Sequence, residues 1–307
     1  MKPDQPILIT GASSGIGNHL ARTLSAQGVT VFATARKPAD LAELGRLAHV
    51  IPLQMDVRDP EQIQAAVRLV QEAGRGLYGL VNNAGVGELG FLTTWDDHDL
   101  YDIFDVNVFG VHRVTNAFLD LLLESHGRIV NIGSQGGMIT KKYYGPYTMT
   151  KHALEAYTVA LDLELQPHGI KVSIVQPGGI VSEIGDNSFA GTRAHFANAR
   201  PPFKEEADQI LAALDQPQEA QEEPADQPES ESNRKPSSPE IVTEAVLDAL
   251  FSESPKLRYL VGTKWEGNRV IHALLDKLLD ENDNPRHNYS RAQLIELLDQ
   301  HLSARRS

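Results

Sequence analysis

The sequence predicts an α/β fold: a doubly wound parallel sheet of about seven strands with helices on both faces. Three observations predict it. Short apolar runs alternate with amphipathic stretches over about the first 180 residues, the rhythm of a parallel sheet. A glycine-rich turn joins the first strand to the first helix, and a last helix–strand pair returns near residue 262.

The expected strands are "PILIT" (6–10), "TVFATA" (30–35), "VIPLQMD" (50–56), "GLVNNAG" (79–85), "GRIVNIGS" (127–134), "KVSIVQPG" (171–178) and "LRYLVG" (257–262). Helices are expected between them, as at 16–28 and 60–74, with Gly28 and Gly74 placed as C-caps. Ser238 caps and Pro239 opens the helix before the last strand. Residues 204–237 are rich in Glu, Gln, Pro, Ser and Asp and cannot bury enough surface to order themselves. They are expected to be flexible, with a short helix at "ADQILAALDQ". The organisation is then a core with substrate lid (1–203), an acidic insert (204–237), the last helix and strand (238–264) and a helical extension (265–307). In the extension, Val270, Ile271, Leu274, Leu275, Leu278 and Leu279 form one apolar stripe. Leu294, Ile295, Leu297, Leu298 and Leu302 form another, with Ser290 as N-cap. These stripes suit packing on the core or on a second subunit.

Composition narrows the function classes. The absence of cysteine excludes disulfides, thiolate metal sites and cysteine nucleophiles, and is compatible with a cytoplasmic setting. The first residues carry no signal-peptide pattern, and no apolar run reaches the roughly 18 residues of a membrane span. The formal charge of −13 is local: residues 205–231 hold ten acids and no base, leaving −3 for the rest. No basic field is left for nucleic acid. "DENDNP" (280–285) looks superficially like a calcium loop, but Pro285 and Arg291 stand where the glycine and the bidentate glutamate are needed. No metal site is expected.

In "ILITGASSGIG", Gly11, Gly15 and Gly17 permit a tight turn and let backbone N–H groups approach a pyrophosphate at a helix N-terminus. Further motifs follow in order: Asp56, "NNAG" at 82–85, Asn107, Ser134, Tyr147 with Lys151, and "PGGIVS" at 177–182. With these motifs the sequence resembles the short-chain dehydrogenase/reductase family from about residue 6 to 182, and more weakly through the last strand. The resemblance implies a single-domain Rossmann-type fold, a nicotinamide cofactor, and hydride transfer at an alcohol or carbonyl carbon of a small molecule. It also implies a homodimer or homotetramer. Gly11, Ser13, Ser14, Gly15, Ile16 and Gly17 would form the phosphate turn. Asp56 would bond the adenine amino group with Val57 beside it. Asn83 and Ala84 would line the adenosine ribose, with Gly85 a further cofactor contact and Asn82 structural. Pro177, Gly178, Ile180 and Ser182 would border the nicotinamide; Ser182 stands where many relatives have threonine and keeps the hydroxyl.

Tyr147 and Lys151 are one helical turn apart and share a face. A free phenol has a pKa of about 10, and a nearby cation lowers it. The pairing therefore suggests an acid usable near neutral pH. The resemblance adds that Lys151 bonds the nicotinamide ribose, that Ser134 bonds the substrate oxygen, and that Asn107 holds a water on the proton path. Tyr143 and Tyr144 lack the lysine partner and are expected to be pocket wall or surface.

Cofactor choice is expected at the end of the second strand. NAD users commonly carry an acid there; this chain has Ala35 followed by Arg36, which suits the 2′-phosphate of NADP(H). Residues 183–203 should form the lid, and Ile184, Phe189, Phe196 and Phe203 in it suit a lipophilic alcohol or ketone. "ATARKP" and "RYLVG" are weakly similar to steroid- and retinol-type members of the family. Two classes of function follow. One is an NADP(H)-dependent oxidoreductase; the other is a nicotinamide-binding sensor whose acidic insert and tail bind partners. Regulators of this lineage typically lose the tyrosine or lysine, and this chain keeps both.

Overall fold

The computed structural model describes residues 5–180, 184–215 and 237–305, without the side chains of 184–187. The expected flexibility of the acidic insert falls mainly on 216–236, outside the described residues. The chain divides into two compact units, Met1–Gly267 and Asn268–Ser307.

The first unit holds one parallel sheet of β1 (Ile7–Ile9), β2 (Val31–Ala35), β3 (Val50–Gln54), β4 (Gly79–Asn82), β5 (Arg128–Ile132), β6 (Lys171–Pro177) and β7 (Arg258–Val261). The spatial order is β3-β2-β1-β4-β5-β6-β7, with Ile9 beside both Ala33 and Val81. The order reverses direction outside β1, where ligands of such sheets bind at the strands' carboxyl ends. β1, β2 and β4 are buried throughout, as continuous apolar strands must be when helices cover both faces. Alternation along the strands divides the core in two. Ile7, Ile9, Val31 and Ala33 pack with Leu20 and Leu24 of α1 (Gly15–Ala26) and with Val246 and Leu250 of α9 (Pro239–Phe251). Leu8, Phe32 and Leu80 pack with Ile63 and Val70 of α3 (Pro60–Glu72) and with Phe118 and Leu122 of α5 (Gly110–Ser125). A short α2 (Pro38–Leu44) links β2 to β3.

Helix ends follow local chemistry. Asp59 accepts from the amides of Glu61 and Gln62 at the start of α3, and Ser238 accepts from Glu240 at the start of α9, each with proline next. Gly28 and Gly74 follow α1 and α3 with φ of +77° and +63°. Between α4 (Asp97–Phe104) and α5 the chain makes a π-turn over Asp105–Phe109, closed by Gly110 N–H donating to the Asp105 carbonyl.

The buried face of α6 (Gly145–Leu165) is unusually polar: Thr148, Thr150, Lys151, Glu155 and Thr158 all lie on it. Thr150 Oγ1 accepts from Asn107 at 3.1 Å and Thr158 Oγ1 from Asn131 at 2.9 Å. Glu155 takes Gln176 at 2.6 Å and Arg258 at 3.0 Å. Asn131 in turn accepts from Asn82 at 2.9 Å.

Two further helices follow β6, α7 (Ile184–Ala197) and α8 (Lys204–Leu214). Ser188 and Thr192, one turn apart on α7, accept from the amides of Gly87 and Leu89 in the segment after β4. His195 meets Glu88 at 3.0 Å and stacks on Trp95. Phe91, Tyr143, Phe196 and Phe203 form one aromatic cluster, and Tyr143 donates to Glu206 of α8. Of the expected lid residues, Phe196 is buried and Phe203 half-buried, whereas Phe189 is exposed and the Ile184 side chain lies outside the description. Tyr144 is exposed.

The second unit contains most of α10 (Lys264–Asn282) and all of α11 (Arg291–Ala304). Ser290 and Gln293 form a capping box at α11, and Asn282 clasps both backbone groups of Tyr289 in the turn before it. No described helix is long and apolar enough to cross a membrane.

Candidate active site

The glycine turn is shaped from beneath. Gly11 and Gly15 have φ of +64° and +52°, a region that disfavours side chains. A Cβ on Gly11 would lie 2.9 Å from Ala84 Cα, and one on Gly17 2.5 Å from Asn83 Nδ2. Thr10 Oγ1 accepts from the amides of Asn83 (2.9 Å) and Ala84 (3.0 Å), while the Asn83 amide group donates to the Thr10 and Gly11 carbonyls. The 82–85 segment is thus bonded directly onto the glycine turn. Ser14 precedes α1 in extended conformation without capping it through its side chain, and the first turn holds no acid. Ser13 is exposed and Ile16 half-buried. Uncapped N–H groups at a positive helix end, over glycines that leave room for close approach, fit a dinucleotide pyrophosphate.

At the β2–β3 end, Asp56 accepts from the Arg58 amide (2.9 Å) and from its guanidinium (3.1 and 3.3 Å). Burial pushes the Asp56 carboxyl up, but the Arg58 bonds and charge, aided by Arg36, bring it below the usual value. Arg36 lies 3.9 Å from Asp56 and is largely exposed. Val57 is buried, its side chain against Gly110.

The third group of residues converges at the ends of β4 and β5. Asn107, held inward by the π-turn, donates to the Val86 carbonyl and to Thr150, and accepts from the Val86 amide. A Cβ on Gly85 would lie 3.2 Å from Asn107 Oδ1 and 3.9 Å from Lys151 Nζ. Lys151 is buried and donates to the Ile132 carbonyl at 2.9 Å, with its Nζ 5.7 Å from the Tyr147 ring centre. Burial lowers its pKa from 10.5 to about 8. Ser134 accepts from the Gly136 amide at 2.9 Å.

The electrostatics of the phenol differ from the sequence expectation. Burial pushes Tyr147 above its ordinary value, and the opposing influence is a hydrogen bond with Ser134 rather than the charge of Lys151. The reason is geometric: Lys151 is turned to the Ile132 carbonyl and is itself desolvated. Pro177 ends β6, and Gly178 N–H donates to the Val261 carbonyl. Ile180 bridges to Ser237, and Ser182 lies outside the described residues.

Sequence reasoning passed over two residues here. Arg58 occupies the carboxylate of Asp56; its only signal was a guanidinium two positions away. Glu266 accepts from the amide of Gly179 at 2.7 Å. Its signal was the capping pattern "TKWE" at 263–266.

The short chain dehydrogenase family profile matches residues 5–192. An Escherichia coli protein described as uncharacterized oxidoreductase YbbO is 35% identical over 280 residues, covering 89% of this chain and 93% of its own. The mouse 17-beta-hydroxysteroid dehydrogenase type 6 is 39% identical over 191 residues, 60% of this chain and 59% of that protein. A crystal structure of a short-chain dehydrogenase from Streptomyces avermitilis superposes with a TM-score of 0.70 at 28% identity, covering 90% of this chain and 94% of that one. A profile spanning more than half the chain, a relative aligned along nearly its whole length and a seven-stranded parallel sheet agree: the chain belongs to the short-chain dehydrogenase family, and is an oxidoreductase acting on CH–OH groups with a nicotinamide cofactor.

Proposed function

We propose that the protein is an NADP(H)-dependent oxidoreductase that interconverts a lipophilic ketone or aldehyde and its alcohol, with Tyr147 as general acid and base. The observation that carries this reading is the juxtaposition of Ser134 and Tyr147, whose Oγ and Cε1 would lie 3.2 and 3.4 Å from one Cβ on Gly136, beside a buried Lys151. Two hydroxyls then face one substrate oxygen, and a cation lies behind them. The cofactor, when bound, supplies or accepts hydride at the substrate carbon. Tyr147 gives its proton to the oxygen during reduction and takes it back during oxidation. Ser134 donates to the same oxygen and stabilises the charge developing there. Lys151 holds the nicotinamide ribose, and Asn107 fixes the segment at Val86 beside it. The aromatic cluster of Phe91, Tyr143, Phe196 and Phe203 supports an apolar substrate, as does the likeness to a protein named for a hydroxysteroid. A panel of ketones and aldehydes with NADPH, read as loss of the reduced cofactor's absorbance, tests the reading. Absence of turnover across aliphatic, aromatic and steroidal carbonyls would overturn it.

The same reading takes the protein as a homodimer or homotetramer. Ile271, Leu275, Leu278 and Leu279 of α10 and Ile295, Leu298 and Leu302 of α11, all exposed, support it. Sedimentation of the purified chain measures the assembly, and a monomer at micromolar concentration contradicts it.

NADPH preference is assigned to Arg36. Arg58 already occupies Asp56, so Arg36 is left to offer charge-assisted donors to a 2′-phosphate beside Ala35. Hydrogen bonds to charged groups are worth roughly 1.5–3 kcal/mol. Arg36→Ala should therefore weaken NADPH by about 10- to 150-fold, with NADH little changed. Ala35→Asp with Arg36→Ala should reverse the preference, because the new carboxylate repels the phosphate. Titration of both cofactors checks this, and equal wild-type affinities would defeat the assignment.

A further inference from the structure

We propose that Glu266 is a positioning residue for the nicotinamide end of the site. Its carboxylate ties the start of α10 to the turn that follows β6. The inference rests on the reading above in placing the nicotinamide against residues 177–180.

Glu266 is 9% exposed and engages both carboxylate oxygens. Oε2 accepts from the Thr263 amide at 3.0 Å, and Thr263 Oγ1 accepts from the Glu266 amide at 3.2 Å. That reciprocal pair is a capping box, which starts the helix. A capping box needs only one carboxylate oxygen. The other, Oε1, reaches across to the Gly179 N–H at 2.7 Å, a separation of 87 residues. Two glycines make the space for it. A Cβ on Gly178 would stand 2.3 Å from Glu266 Oε2, and one on Gly262 2.5 Å from the same atom.

The turn is held at each neighbouring point as well. Gly178 N–H donates to the Val261 carbonyl, and the Gly179 carbonyl accepts from Ser237. Gln135, next to Ser134, donates to the Val261 carbonyl at 3.1 Å, and its Nε2 would stand 2.8 Å from a Cβ on Gly262. The corner therefore links the strand end that carries Ser134 to the turn after β6. The Glu266 carboxylate is charged, and charge-assisted bonds are shorter and stronger than neutral ones. Its removal frees the Gly179 amide and unfixes the peptide plane on which the nicotinamide would rest. The adenine end, around Arg36 and Asp56, lies at the opposite margin of the sheet and is untouched.

The test separates the two halves of the cofactor. NADP+ and its adenine half, 2′,5′-ADP, are titrated against the wild type, Glu266→Ala, Glu266→Gln and Glu266→Asp. Glu266→Ala should weaken NADP+ by about 10- to 100-fold and leave 2′,5′-ADP unchanged. Glu266→Gln should recover part of the affinity, since its amide oxygen still accepts from Gly179 while its NH2 cannot accept from the Thr263 amide. Glu266→Asp keeps the charge but falls short of Gly179, and should show the same split as alanine even if the alanine variant does not fold. Amide exchange over 178–180, measured without any ligand, should accelerate most in the alanine and aspartate variants. Equal loss of both ligands, or an unchanged NADP+ affinity with unchanged exchange, overturns the proposal. A wild type that binds neither ligand defeats the cofactor assignment instead, and exchange then decides the tether by itself.

Discussion

Tyr147→Phe lowers kcat by about 10²- to 10⁴-fold, the range that general acid catalysis supplies, while cofactor affinity holds. The substitution deletes one hydroxyl and little packing. In the proposed mechanism the lost hydroxyl is the proton donor to the substrate oxygen, and it lies beside Ser134. Because burial raises the phenol and only Ser134 draws it back, Ser134→Ala should move the basic limb of the pH–rate profile upward as well as slow turnover. Tyr144, exposed and without a lysine one turn later, is the control, and Tyr144→Phe should be near neutral. Steady-state kinetics with separate cofactor titration decide the point. A Tyr147→Phe enzyme within threefold of wild type defeats the assignment.

Lys151→Met should cost activity on a comparable scale while removing a source of instability. The folded-state pKa of Lys151 is about 8, against 10.5 for the free group. At one pKa unit per 1.36 kcal/mol, burying the charged form costs about 3 kcal/mol. The sign follows from proton counts. Below pH about 8 both folded and unfolded chains carry the proton, and the penalty is fully present. Between about 8 and 10.5 the unfolded chain binds more protons, so this group makes stability rise with pH. Above that window the penalty is gone. The methionine variant lacks this dependence, though it strands the Ile132 carbonyl that Lys151 satisfies. Stability of the variant relative to wild type should therefore be greatest near pH 7 and fall by about 3 kcal/mol across the window. Denaturant unfolding of both proteins at several pH values measures it. A difference that stays flat from pH 7 to 10.5 contradicts the burial of a charged lysine.

The sheet was legible because its strands are buried on both faces and so stand out as unbroken apolar runs, as in β1 and β2. The glycine turn was legible for a related reason: positive φ at Gly11 and Gly15 demands glycine at fixed spacing. What escaped was whatever depends on desolvation or on distant partners. Spacing placed Lys151 one turn from Tyr147, but only the fold shows the ammonium turned to the Ile132 carbonyl and the phenol raised by burial. Asp56 was legible as a carboxylate after the third strand, yet not its capture by Arg58, since neighbouring charges can as easily point apart. Glu266 carried a local signal, the cap pattern at 263–266, that the sequence reading passed over. Its second oxygen, bonded to an amide 87 residues away, has no local signature.

The polar underside of α6 governs how Tyr147 and Lys151 are aimed. Helices seated on an oily stripe can roll by several degrees at small cost, because dispersion contacts are numerous and weakly directional. α6 instead rests on bonds from Asn107, Asn131, Gln176 and Arg258 to Thr150, Thr158 and Glu155. Hydrogen bonds weaken steeply once bent, so these contacts act as detents that index the helix about its own axis. Tyr147 and Lys151 ride on that axis, and a few degrees of roll would sweep their tips sideways by a good part of an ångström. Replacing Thr158 with valine keeps the interior filled but removes the acceptor of Asn131, and frees the helix to turn Tyr147 away from its present aim. In this protein the grease holds the barrel of the instrument and the amides set its angle.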